Sequence, residues 1–119
     1  MNRDMDLVRS ILLTVEADPS MTGSRFEAYN TSHFPGHSQE EINYHIDLLF
    51  EAEYVDGLPN ATPQPLIKKL TWKGHEFIAA TKDPDVWEKV KDRIKGVTDV
   101  AFPVLLDLAK AEVKKKLGL

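Results

Sequence analysis

The sequence predicts an α+β fold that is mostly helical. Three observations carry that expectation. Several stretches repeat apolar residues at helical spacing. One pair of short β-type runs flanks a proline-rich loop. Cap and turn residues punctuate nearly every junction between them. With 119 residues the chain is long enough for one ordinary domain and one real core.

The first helix is expected from about Asp4 to Glu16, with Leu7, Ile11, Leu12 and Val15 forming an apolar stripe. The run "ADPS" stops it, because the ring of Pro19 disfavours helix at Asp18. In "MTGSRFEAYNTSHFPGHS", Phe26 and Ala28 alternate with Glu27 and Tyr29 follows, so a short strand is expected over Phe26 to Tyr29. "FPGH" is turn chemistry. Ser38 then starts the second strong helix, and Glu41 three residues later completes a capping box. Ile42, Ile46, Leu49 and Phe50 make its apolar face, with His45 and Ala52 on the flank. Glu40, Asn43, Tyr44, Asp47 and Glu51 make the opposite face.

Tyr54 to Leu58 suits a strand and Leu66 to Leu70 a return strand. Between them Pro59, Asn60, Pro63 and Pro65 force a loop. Thr71 caps the helix "WKGHEFIAATK", which stops before Asp83 and Pro84. Asp83 caps the next helix, with Pro84 at its first position and Val86, Trp87, Val90 and Ile94 along its apolar side. Gly96 ends it. The last helix begins near Asp99 to Phe102 and runs to about Leu117, with Leu105, Leu108, Ala109 and Val113 apolar and Gly118 at its end.

Composition narrows the class. Apolar residues are 42% and charged residues 29%, as in a soluble globular protein. No apolar run is long enough to span a bilayer, the start "MNRDMDLVRS" lacks the character of a signal peptide, and there is no cysteine for disulfides or thiolate zinc. A cytoplasmic protein is expected, with no membrane partner. The net charge of −4 disfavours a surface built wholly for phosphate. It is unevenly spread: residues 38–57 hold six acids and no Lys or Arg, while residues 82–116 hold nine Lys or Arg against seven acids. A basic surface is therefore expected to draw on Arg3, Arg9, Lys68, Lys69, Lys73 or the C-terminal third.

The order of elements resembles the winged-helix plan, in which a recognition-type helix leads into a two-stranded wing. Ile42, then His45–Ile46, then Leu49, then "EAEYV" match that plan's pattern. Glu53 stands where the turn usually has Gly, and "NTSHFPGH" leaves no room for the helix that normally precedes the recognition helix. A closer resemblance covers nearly the whole chain. "RDMDLVRSILLTVE", "EEINYHIDLL", "LTWKGHEFI" and "VWEKVK" follow one another as in domain of unknown function 2513, a family of small bacterial and prophage proteins. That resemblance implies the fold and a phage or mobile-element setting, and it brings no catalytic residues. Residues 1–81 are expected to form the winged-helix domain. Residues 82–119 are expected to be a helical extension, packed on it in one compact unit or forming a homodimer contact.

Enzyme chemistry finds little support. His33 and His37 have the spacing of helical metal ligands, with Glu40 and Glu41 nearby, but Pro35 and Gly36 between them break any shared face. His45 at the edge of an apolar face reads as a core histidine. His75 and Glu76 could pair as acid and base, yet a first-turn carboxylate also suits the helix dipole. Asp4 and Asp6 read as cap and dipole residues. No phosphate-binding glycine loop and no nucleophile elbow occur. A non-enzyme without catalytic residues, metal or cofactor is expected.

Two binding readings remain. In the first, the partner is double-stranded DNA. Gln39, Glu40, Asn43, Tyr44 and Asp47 would then face the bases, with Asn43 able to read adenine. Lys68, Lys69 and Lys73 would hold the backbone, helped by Lys110, Lys114, Lys115 and Lys116. The acidic helix contributes nothing to phosphate neutralisation, which supplies most affinity for DNA. In the second, Tyr44 and Leu48 among those acids dock a protein partner. The C-terminal helix, with Phe102, Leu105, Leu106, Leu108, Ala109 and Val113, offers a route to a homodimer. The expected function is a transcription-regulatory DNA-binding module, with protein docking as the alternative.

Overall fold

The computed structural model describes residues 2–18, 25–97 and 99–119. The expected stop at Pro19 and the run from Met21 to Ser24 lie outside the described residues. The described chain is α+β and mostly helical: α1 (Met5–Ala17), α2 (Gln39–Glu51), β1 (Val55–Leu58), β2 (Leu66–Leu70), α3 (Trp72–Thr81), α4 (Pro84–Arg93) and α5 (Phe102–Lys116). It divides into two compact units, Met1–His75 and Glu76–Leu119.

In the first unit, Asp4 starts α1 by accepting a bond from the Leu7 N–H at 3.1 Å. Leu7, Val8, Ile11, Leu12 and Val15 are its buried stripe. The expected strand at Phe26–Tyr29 reduces to one bridge, in which Glu27 exchanges both backbone bonds with Ile67 at 2.9 Å. The extended run is cut short at Asn30, whose Oδ1 accepts from the backbone N–H and the hydroxyl of Ser32 and turns the chain. Tyr29 is instead a core residue; burial, with the Asp18 carboxylate that its hydroxyl donates to, pushes its phenol well above the ordinary range.

Turns fill residues 31–36, so no helix precedes α2 there. The capping box at Ser38 is present: its hydroxyl accepts from Glu41 N–H at 3.1 Å, and the Glu41 carboxylate accepts from Ser38 N–H at 3.2 Å. The buried face of α2 is Ile42, His45, Ile46 and Leu49. His45 is thus in the core rather than on its flank, and Phe50 is only half-buried. The 42, 45, 46, 49 spacing is the regular helical stripe, and the imidazole keeps its place on it because both ring nitrogens are bonded.

The end of α2 forms a Schellman motif. Tyr54 N–H reaches Leu49 C=O at 2.9 Å and Glu53 N–H reaches Phe50 C=O at 3.0 Å. Glu53 takes φ 63, the left-handed conformation that glycine favours. Tyr54 therefore belongs to the cap, and β1 starts one residue later than expected. β1 and β2 are antiparallel, and β2 is central, with β1 on one edge and Glu27 bridging on the other. Side chains of α1, α2 and both strands supply this unit's core, each fully buried Leu or Ile contributing roughly 1.5–3 kcal/mol.

In the second unit, Asp83 caps α4, accepting from Asp85 N–H at 2.8 Å, with Pro84 at the first position. Val86, Trp87 and Val90 are buried, whereas Ile94 is the half-buried cap at the other end. α5 begins at Phe102, capped by Ala101 without a side-chain bond. Its buried residues are Phe102, Leu105, Ala109 and Glu112, and Leu108 and Val113 are half-buried. The stripe is rotated from the expected one because Glu112 has cationic company: Arg93 at 3.1 Å and Lys115 at 3.5 Å.

Candidate nucleic-acid interface

The sequence-predicted cations Lys68, Lys69 and Lys73 all lie in the first unit, and the geometry of the β1–β2 pair explains how Lys68 and Lys69 are displayed. Asp56 pairs with Lys69 and Gly57 with Ile67, so Lys68 is an extra residue, a bulge. A strand alternates its faces every second residue. The bulge breaks that alternation, placing Ile67 and Leu70, three apart, both in the core. The two residues between them are both left outside it: Lys68 is half-buried and Lys69 exposed. Gly57 makes the irregular pairing feasible, since a Cβ there would collide with the Leu66 carbonyl oxygen.

Lys68 Nζ lies 5.7 Å from the centroid of the Phe26 ring, a cation–π arrangement. Phe26 itself is 42% exposed, so it lies on the outer side of this segment rather than in the core. The turn into α3 is fixed by Thr71, whose hydroxyl donates to Glu53 C=O at 2.6 Å and accepts from Gly74 N–H at 3.1 Å. Gly74 sits against the Tyr54 carbonyl with no room for a Cβ. That fixed turn holds Trp72 and Lys73 at the start of α3, both exposed.

Trp72 is 78% exposed, while the second tryptophan, Trp87, is 2% exposed. Sequence reasoning passed over Phe26 and Trp72 as surface residues. For Trp72 the signal was present: the buried positions Gly74, Phe77, Ile78 and Thr81 define the inner face of α3, and Trp72 is off that spacing.

The α2 candidates are arranged differently. Asn43 is half-buried and its Oδ1 accepts from Gln39 Nε2 at 2.8 Å, while that same amide nitrogen donates to Tyr29 C=O at 3.0 Å. Tyr44 is half-buried, its ring edge-on to His45 at 5.3 Å. Asp47 is exposed, and partial desolvation with the Glu51 carboxylate beside it raises its carboxyl above the ordinary range. This face therefore resists any further negative charge.

The histidines do not converge on a metal. His33 Nδ1 accepts from Asn30 N–H at 3.1 Å, and His37 Nδ1 faces Glu41 Oε2 at 3.3 Å. Among the described residues no group of three or more His, Asp or Glu is placed to hold a metal ion. His75 and Glu76 are both exposed. The C-terminal lysines belong to the second unit. There Lys116 pairs with Asp83, Lys115 with Glu112, and Lys110 stands 4.0 Å from Glu76. Much of that positive charge is already answered within the unit. No helix among the described residues is long and apolar enough to cross a membrane.

No solved structure gives a significant match to the chain. A Haemophilus influenzae protein described as an uncharacterized protein is 28% identical over 122 residues, covering 99% of this chain and 100% of that protein. The model of the family described as hypothetical protein, domain of unknown function 2513, matches residues 2–99, which takes in every element except α5. The chain belongs to that family.

Proposed function

We propose that the protein is a non-enzymatic DNA-binding module of regulatory type, built on a winged-helix-like core and contacting DNA through its wing rather than through α2. The order α1, bridge residue Glu27, α2, β1, β2, with Glu27 and β1 on opposite edges of β2, supports the winged-helix reading. The observation that carries the DNA reading is the β2 bulge, which turns both Lys68 and Lys69 away from the core, with exposed Lys73 four residues further along the chain. α2 is a poor groove reader. Glu40, Asp47 and Glu51 would face phosphates, and Gln39 and Asn43 are bonded to each other.

The test is anisotropy of a labelled random duplex titrated at several salt concentrations. Binding is expected to weaken steeply with salt. The double replacement Lys68→Ala/Lys69→Ala is expected to weaken it across all sequences and to reduce the salt slope by about one per lysine removed. A second reading is favoured by one observation: Tyr44 and Leu48 are half-buried side chains set among exposed acids on α2. Absence of DNA binding even at low salt, with loss of protein capture in Tyr44→Ala, favours that docking role.

A further inference from the structure

We infer that the wing surface takes single-stranded nucleic acid, with Trp72 stacking on an unpaired base. This rests on the nucleic-acid reading above and adds to it the strandedness of the ligand. Two exposed aromatics are interleaved with three lysines in the first unit. Phe26 lies beside Lys68, Lys69 follows it, and Trp72 and Lys73 open α3 only three and four residues later. Asp56 stands opposite Lys69 in the ladder and offsets one of the three charges.

An indole left 78% exposed presents a large apolar surface to solvent, and its flat face suits a base. Proteins that hold single strands combine backbone-tracking cations with aromatic platforms of this kind. In an intact duplex the base faces are covered by their neighbours, so the platform has nothing to stack on. A duplex is instead read through its grooves, and the acidic face of α2 is unsuited to entering one. Both features point to unpaired bases.

The two tryptophans make the test direct. Trp87 is buried and gives a constant background, so changes in intrinsic emission report Trp72. The full chain is titrated with a short oligothymidylate and, separately, with a duplex of the same length, following emission and anisotropy. The single strand is expected to quench Trp72 emission. Trp72→Ala is expected to weaken single-strand binding by about tenfold or more, the loss of one stacked base, while Trp72→Phe retains part of it. Duplex binding is expected to change less. Circular dichroism confirms that each variant is folded. If Trp72→Ala leaves single-strand affinity within about twofold while Lys68→Ala/Lys69→Ala weakens binding, stacking is refuted and the DNA reading stands. If neither ligand binds at low salt, both fall.

Discussion

The backbone N–H of Asp4 donates to Nε2 of His45 at 2.7 Å, joining the cap of α1 to the middle of α2 across forty-one positions of sequence. The other ring nitrogen, Nδ1, faces the carbonyl of Glu41 at 2.7 Å. With Nδ1 donating to that carbonyl, Nε2 is left as the acceptor, so the geometry selects one neutral tautomer. His45→Ala removes a buried ring and leaves the Asp4 N–H without its partner. The expected cost is about 2–4 kcal/mol, read from urea unfolding with the m-value unchanged. A cost near zero would show that the bond does not hold α1 to α2.

Glu53 occupies the left-handed position of the Schellman motif that ends α2. A side chain there raises the backbone energy, and glycine removes the strain at some cost in chain entropy. Glu53→Gly is expected to stabilise the protein by about 0.5–1 kcal/mol, seen as a higher Tm. The motif's bonds and the carbonyl that accepts from Thr71 are backbone and survive the change.

The capping box gives a pH dependence. The bond from Ser38 N–H, and then His37, holds the Glu41 carboxyl below its ordinary value. A group whose carboxyl is depressed in the folded state stabilises that state above the unfolded value and loses the contribution as pH falls. Glu41→Gln is therefore expected to lower Tm near about pH 7 and to match the parent more closely near about pH 3. An equal deficit at both pH values would assign the effect to something other than the carboxylate.

Buried Glu112 on α5 depends on Arg93 and Lys115. Removing one cation leaves a buried carboxylate under-compensated, whereas replacing the acid by an apolar side chain removes the need for compensation. Arg93→Ala is expected to cost about 1 kcal/mol, an amount limited by the exposure of the guanidinium, and Glu112→Leu less than that. Chemical denaturation of the two variants side by side decides the order.

Much of the architecture was legible in the sequence because its signals are local. The capping box at Ser38 and Glu41, the Asp83–Pro84 start and the proline-rich loop each depend on neighbours a few residues away. The features that escaped depend on distant partners. His45 was readable as a core histidine from the stripe of α2, but its bond from the Asp4 N–H was not, and Glu112 could be placed in the core only once Arg93 and Lys115 were seen beside it. The bulge at Lys68 arises from the pairing register, so Lys68 and Lys69 were recognisable as candidates but their shared turn away from the core was not. Trp72 could have been found from the spacing of α3 alone.

The most direct test of the proposed interface is an amide chemical-shift map of the isotope-labelled protein titrated with nucleic acid at low salt. Perturbations clustered at residues 66–73 and around Phe26, with residues 40–51 largely unmoved, are expected if the wing is the binding surface. Perturbations concentrated on α2, with the wing silent, would contradict it.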